Sequence, residues 1–216
     1  MLMIRRFVFN PVQVNCYVLA DEEAGEAAVV DCGATSVEEL APLMQYLTEA
    51  KLKPACLLNT HGHFDHVWGN AVFHELTGLR PRLSEADLSL YQHLSDQVRT
   101  IMGVNLQLPV CAPGEALADG AVVTFGSCHI RVMATPGHTP GGVSLYIPDW
   151  PDGSLVLTGD TLFRGSVGRT DLPGGNPAAL GESVRKLLTL PDEVRVYPGH
   201  GPSSTIGYER MHNPFA

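Results

Sequence analysis

Few cysteines, few basic residues and no long apolar run characterise this chain of 216 residues. The five cysteines, Cys16, Cys32, Cys56, Cys111 and Cys128, are odd in number and include no C-x-x-C pair. That argues against a disulfide framework, makes a reducing cytoplasm the default location, and reads each thiol as a small buried apolar side chain. Lysine and arginine number 14 against 23 acidic residues, a formal net charge of −9. A nucleic-acid partner would want a basic face, so that class is set aside, and an anionic substrate would need local positive charge from arginine or metal. No run approaches the roughly 20 apolar residues of a membrane span, so no membrane partner is expected. In "MIRRFVFNPVQVNCYVLA" the paired arginines do not open an export signal, because Asn10, Pro11, Gln13 and Asn15 interrupt the apolar run. Its alternation reads as an edge or paired strand. Low-complexity stretches, charge blocks and long linkers are missing too, so residues 1–216 read as one domain, within the roughly 250 residues that one core supports.

Helices announce themselves with caps. Ser36 and Glu39 form a capping box before "VEELAPLMQYLTEA", whose Val37, Leu40, Leu43, Met44 and Leu47 share a face. Ser84 with Asp87 predicts the same for one helix over Glu85 to Met102, stopped by Gly103. Asn176 followed by Pro177 opens a third. Five short apolar runs, "AAVVDCG", "ACLLNTHGH", "IRVMATPGH", "LVLTGD" and "VRVYPGH", read as buried strands, and each finishes in a potential ligand. Lying side by side, they would put every such residue on one rim. Strands interleaved with helices along the whole chain give an α/β layered fold.

"HGHFDH" places His61, His63, Asp65 and His66 within six positions. The first three are spaced by two and project to one side of an extended loop, while His66 points elsewhere. Two metals could share such a loop where one four-coordinate ion could not. The bland alternative is a polar turn with Asp65 as N-cap of "HVWGNAVFHELTG". His138 in "TPGHTPGG", His200 in "YPGHGP" and Asp160 in "LTGDTLF" are the candidates that could complete the site, although each alone reads as an ordinary turn residue. Asp31, ending "AAVVD", suits a residue that orients a ligand histidine rather than a ligand. His74, His93, His129 and His212 are given no part in the chemistry.

H-x-H-x-D-H, then Pro-Gly-His, then Gly-Asp, then a second Gly-His resembles the metallo-β-lactamase superfamily over nearly the whole chain. The likeness is greatest to short glyoxalase II-like (hydroxyacylglutathione hydrolase-like) enzymes, through "GDTLFRGSVGRTDLPGG" and "GYERMHNPF". The resemblance implies a four-layer αββα sandwich with the site at one edge of the two sheets. It implies one metal on His61, His63 and His138 and a second on Asp65, His66 and His200, with Asp160 bridging. Two divalent ions about 3.5–4 Å apart, zinc by the nitrogen-rich ligation, with iron or manganese accepting the same donors, would acidify a bound water towards a pKa of about 7. Asp65, a neighbour of that water, is the candidate to orient it or carry its proton.

The implied reaction is hydrolysis of a small-molecule thioester such as S-D-lactoylglutathione. Arg164 and Arg169 are candidates for docking a substrate carboxylate, and Arg169 pairing with Asp171 to hold its loop is an equal alternative. Longer glyoxalase II enzymes carry a C-terminal helical domain that this sequence does not show, which leaves the thiol open. The segment Glu85 to Met102 could cover the pocket, although Leu90, Tyr91, Leu94 and Met102 read first as core. Persulfide dioxygenases share the scaffold and the "RGSVGRTD" type of loop. They use one iron, which would sit on His61, His138 and Asp160 or a close variant, so an oxidoreductase is the alternative. A lactonase, another ester hydrolase of this fold and a non-catalytic metal module are further readings.

Overall fold

The computed structural model describes residues 1–216. The first sheet runs β1 (Leu2–Phe9), β2 (Val14–Asp21), β3 (Glu26–Val30), β4 (Lys53–Leu58) and β5 (Pro81–Arg82), in that spatial order. The first three are antiparallel, and β3, β4 and β5 are parallel. In the second sheet β6 (Val122–Phe125), β7 (Cys128–Ala134), β8 (Val143–Ile147) and β9 (Leu155–Gly159) form an antiparallel meander. A small hairpin of β10 (Leu162–Phe163) and β11 (Ser166–Val167) follows, then β12 (Arg195–Pro198), parallel to β9, and the edge strand β13 (Ser204–Thr205).

Between the sheets lies a core of 18 buried residues, including Leu19, Val30, Leu58, Ile130, Leu145 and Leu157. The outer face of the first sheet is covered by α1 (Val37–Glu49) and α3 (Asn70–Thr77), which contribute Leu40, Leu43, Leu47 and Phe73 to a second core. On the outer face of the second sheet, α6 (Pro177–Leu187) and Ile206, which opens α7 (Ile206–His212), complete a third with Leu180, Val184 and Leu187. Three cores separate four layers, which is the αββα sandwich. β2 is buried at all eight positions because it is covered on both faces, while β1 alternates as an edge strand does.

Several local expectations change. Ser36 Oγ does accept from Glu39 N at 3.2 Å, but the Glu39 carboxylate serves Thr35 and Asn10, and Val37 is exposed. Asn176 caps α6 as its sequence predicts, accepting from Ala179 N. Asp65 is no N-cap: it lies inside the single turn α2 (Phe64–Val67). The segment from Glu85 is not one helix but a 3₁₀ turn (Glu85–Asp87), α4 (Leu88–Gln92) and α5 (Leu94–Met102), with the break at His93. Ser84 makes no capping bond there: Asp87 N donates to Ser84 O at 3.1 Å, and the Asp87 side chain, turned inward to other partners, does not complete the box. Four cysteines are buried as expected, but Cys111 is half-buried, where Tyr91 Oη approaches its Sγ at 3.3 Å. No helix is long and apolar enough to cross a membrane.

Candidate metal centre

β3, β4, β7, β9 and β12 all end at the same edge of the sandwich. The residues that follow them, Asp31, His61, His138, Asp160 and His200, form its rim. Ties between the sheets hold that edge. Val143 N donates to Thr60 O at 2.8 Å and Asn15 N to Gly199 O at 2.7 Å, while Asn15 Nδ2 and Tyr17 Oη both reach Pro198 O. Gly199 is glycine for a steric reason. A Cβ there would collide with Asp160 Oδ1 and lie 2.6 Å from His66 Cε1.

Three groups of donors converge. His61, His63 and His138 each put a ligand atom within 4.8 Å of the others, and so do His61, His66 and Asp160, and Asp65, His66 and His200. His63 Nδ1 is 2.8 Å from His138 Nε2. Asp160 Oδ1 faces His66 Nε2 at 3.3 Å, while its Oδ2 faces His138 Nε2 at 3.5 Å and His200 Nε2 at 3.7 Å. Asp65 Oδ2 lies 3.1 Å from His200 Nε2 and 3.5 Å from His66 Nε2. His61 Nε2, His66 Nε2 and Asp160 Oδ1 are buried without a hydrogen-bond partner. Three orphaned polar atoms in one cluster would cost several kcal/mol in total, and a cation among them removes that cost. The donors therefore suit divalent metal.

The far nitrogens are occupied, which fixes ring orientation. His66 Nδ1 meets Asp31 Oδ2 at 3.0 Å, His138 Nδ1 meets Arg169 O at 2.7 Å, His61 Nδ1 meets Thr60 Oγ1 at 3.1 Å, and His200 Nδ1 meets Gln13 O at 3.2 Å. Asp31, left-handed at φ 57, also accepts from Thr60 N and Thr60 Oγ1.

The electrostatics divide the cluster in two. Burial, then the imidazoles of His66, His138, His63 and His200, hold His61 well below the usual histidine range. Burial and His138 push His63 down to about 3. Burial also opposes charge on His66, but the carboxylates of Asp65, Asp160 and Asp31 outweigh it and raise His66 well above the usual value. Burial would raise Asp65 and Asp160; the charge of His66 leads the contacts that lower both. His200 is raised, its burial overcome by the hydrogen bond to Asp65 and the charge of Asp160. Burial thus favours neutral imidazoles at His61 and His63, while Asp65 and Asp160 favour positive charge at His66 and His200.

A cavity of about 220 Å³ opens on the cluster, lined by Val12, Phe64, Ile101, Arg169 and Leu172 beside the ligand-type residues. A second, of about 250 Å³, adjoins it at His63, Ile101 and Leu172 and is bounded by Leu90, His93, Gln97, Thr100 and Pro173. Of the covering segment, Tyr91 and Leu94 are core, with Met102 packed against them, whereas Leu90 lines the cavity. His93 lines it as well; His74, His129 and His212 do not border either cavity. Arg169 is bound by both nitrogens of its fork to Asp171 at 2.6 Å, while still lining the metal cavity. Arg164 is not brought to the cluster: it stacks over Tyr208 and lines another cavity with Arg195.

Sequence reading missed Asn10, Gln13, Asp87 and Gln97. Asn10 Nδ2 donates to Asp65 O at 2.9 Å. Gln97 accepts from Phe64 N and donates to Gly62 O. Asp87 Oδ2 accepts from Gly62 N. The one local signal was at the β1–β2 turn, where Asn10, of a residue type that tolerates positive φ, adopts it together with Gln13.

A four-layer sandwich with a histidine–aspartate cluster at one sheet edge defines a metal-dependent hydrolase class. The chain belongs to the metallo-β-lactamase superfamily, whose family profile matches residues 9–200. It is 36% identical over 220 residues to YqgX of Bacillus subtilis, described as a probable metallo-hydrolase, covering 98% of this chain and 96% of that one. It is 33% identical over 207 residues to hydroxyacylglutathione hydrolase GloC of Haemophilus influenzae, covering 94% and 92%. Among solved structures it resembles TTHA1623 in a di-iron-bound form (TM-score 0.85, 39% identity, 98% and 100% covered). It also resembles the B3 metallo-β-lactamase BLEG-1 (TM-score 0.88, 32% identity, 99% of each chain).

Proposed function

We propose that the chain is a binuclear metal-dependent hydrolase of the hydroxyacylglutathione hydrolase type, cleaving a small-molecule thioester. The observation that carries this is the convergence of seven buried or half-buried ligand-type residues, three of whose atoms, His61 Nε2, His66 Nε2 and Asp160 Oδ1, make no hydrogen bond. His61, His63 and His138 would hold one metal and Asp65, His66 and His200 the other, with Asp160 between them; likeness to GloC supports the thioester. Nitrogen-rich donors suit zinc, and the di-iron neighbour supports iron as an alternative occupant.

When bound, the metals supply an acidified water and Lewis-acid polarisation of the substrate carbonyl. The protein does the rest. Asp65, whose side chain is 11% exposed at the cavity wall, orients the attacking water and takes its proton. Asp31 and Arg169 O hold the imidazoles of His66 and His138 in one orientation, so that no reorganisation is needed during the reaction. Phe64, Ile101 and Leu172 give the cavity an apolar wall against which the acyl group can pack. As the water oxygen bonds to the acyl carbon the carbon–sulfur bond breaks, and the adjoining cavity, which meets this one at His63, Ile101 and Leu172, has room for the leaving thiolate. Arg169 presents its Nε and Nη2 to Asp171, which leaves Nη1 to meet a substrate carboxylate unless the whole fork exchanges partners.

The test is hydrolysis of S-D-lactoylglutathione by protein loaded in turn with zinc, manganese and iron. Efficiency of about 10⁴–10⁸ M⁻¹s⁻¹ supports the reading. It should fall by about 10²–10⁴ in Asp65→Ala. No turnover by protein holding two metals removes the glutathione thioester, and oxygen uptake with glutathione persulfide then tests the oxidative alternative.

A further inference from the structure

Behind the histidine triad lies a carboxylate whose hydrogen-bond partners are all neutral. Asp87 is 0% exposed. Its Oδ2 accepts from Gly62 N at 2.9 Å and Thr139 Oγ1 at 2.8 Å, and its Oδ1 accepts from Gly141 N at 2.6 Å. Gly62 sits between His61 and His63, and Thr139 follows His138. One side chain therefore ties together the two loops that carry all three imidazoles. Both loops have glycine where they meet it. A Cβ on Gly141 would stand 2.7 Å from Asp87 Cγ, and one on Gly62 would stand 3.1 Å from Asp87 O.

Generic packing does not account for a carboxylate here. Burying a charge among neutral donors costs several kcal/mol, which an apolar or amide side chain would avoid. A carboxylate can accept at both oxygens, and three donors meet the two oxygens of Asp87 here. An amide would turn an NH₂ towards an N–H or a hydroxyl. The consequence is geometric: His63 and His138 are 75 residues apart in sequence, yet their ring nitrogens are held 2.8 Å apart. The other main-chain tie between these segments, Thr60 O to Val143 N, lies beyond Gly142. Gln97 and Arg169 O bind each histidine-bearing turn to a third segment, and Asp87 is the carboxylate that binds the two turns to each other.

We propose that Asp87 is a positioning residue for the metal at His61, His63 and His138, setting the spacing of the two loops so that the three imidazoles close on one ion. This rests on the metal reading of that triad. Its test is titration of the metal-free protein with cobalt, followed by visible absorption and by competition with a chelator. In Asp87→Asn one metal equivalent should bind about 10–100-fold more weakly while the other is unchanged. The turnover number should fall with KM unaltered. Thr139→Val should move the same equivalent in the same direction by less, and Thr139→Ser should restore it. Should Asp87→Asn fail to fold, the Thr139 pair decides. Unchanged affinity for both equivalents in Asp87→Asn, or in Thr139→Val where that variant decides, overturns the proposal. A parent protein that binds no metal through the triad overturns both this and the functional reading.

Discussion

Asp31 Oδ2 lies 3.0 Å from His66 Nδ1, and the opposite nitrogen of that ring, His66 Nε2, faces Asp160 Oδ1 at 3.3 Å. The contact fixes which nitrogen points into the cluster. Asp31→Asn keeps the shape and removes the charge, so affinity for the metal at Asp65, His66 and His200 should drop about 10–100-fold. Equilibrium dialysis against a graded chelator reads this directly. Full retention of both metals would mean that His66 holds its orientation without Asp31.

Asp160 and His200 should behave differently on truncation. Asp160 presents one oxygen to His66 and the other to His138 and His200, so it touches both halves of the cluster. His200 meets only Asp65 and Asp160 there, and is 26% exposed at the side chain. Asp160→Ala should loosen both metals, and His200→Ala only one. Metal content after gel filtration, measured by atomic emission, distinguishes them; two tight metals in both variants would refute the assignment.

What was legible in the sequence was whatever depends on short range. His61, His63, Asp65 and His66 announce a site because donors of one chemical kind crowd a single loop. The strand ends announce a rim because apolar runs stop at Asp31, His138, Asp160 and His200. Asp87 was read as half of a capping box because Ser84 stands three positions before it, and nothing local says otherwise. Its partners lie 25, 52 and 54 residues away, and these contacts outweighed the cap. The break at His93 was hidden for a related reason. Leu88, Tyr91, Leu94 and Val98 keep helical spacing across it, and all belong to or pack on one core. Arg164 leaves its loop away from the cluster, over Tyr208; adjacency in sequence to a ligand-type residue says nothing about which way a side chain leaves the chain.

Metal-free protein should lose stability on mild acidification. His63 is pushed down to about 3 in the fold, against about 6.5 in an unfolded chain. A depressed histidine contributes fully above the unfolded value and progressively less as pH falls from 6.5 towards 3. His66 and His200 are raised, so their contribution is complete below 6.5 and changes only above it. In the acid window they do not offset His63, and His61, also depressed, adds to it. Urea unfolding of metal-free protein at pH 6.5 and 5 should show stability falling over that interval, with the slope for His63 approaching about 1.4 kcal/mol per pH unit at the acid end and His61 acting in the same direction. His63→Gln should flatten that slope, and an unchanged slope would count against it.

Metal removal should lower the melting temperature as well as activity. Without an ion His61 Nε2 has no hydrogen-bond partner, and His66 Nε2 and Asp160 Oδ1 have only their mutual 3.3 Å contact, which makes no well-formed hydrogen bond. At free metal of 100 times Kd, binding to the folded state adds about 2.7 kcal/mol. For a chain of this length that is a shift of about 5–11 °C. Calorimetry with zinc titrated into metal-free protein checks it, and a concentration-independent melting temperature would show that the cluster does not take the ion.

Arg169 separates substrate docking from loop support. Its ion pair with Asp171 is exposed, with side chains 57% and 66% accessible, and such pairs contribute little to stability. Arg169→Gln should therefore leave the melting temperature within about 1 °C of the parent. If Arg169 exchanges Asp171 for a substrate carboxylate, KM for an anionic thioester should rise about tenfold in Arg169→Gln with the turnover number unchanged. Asp171→Asn, which frees the fork, should move KM the other way. A fall in turnover number with constant KM in Arg169→Gln would instead place the effect on His138, whose Nδ1 depends on the carbonyl of Arg169.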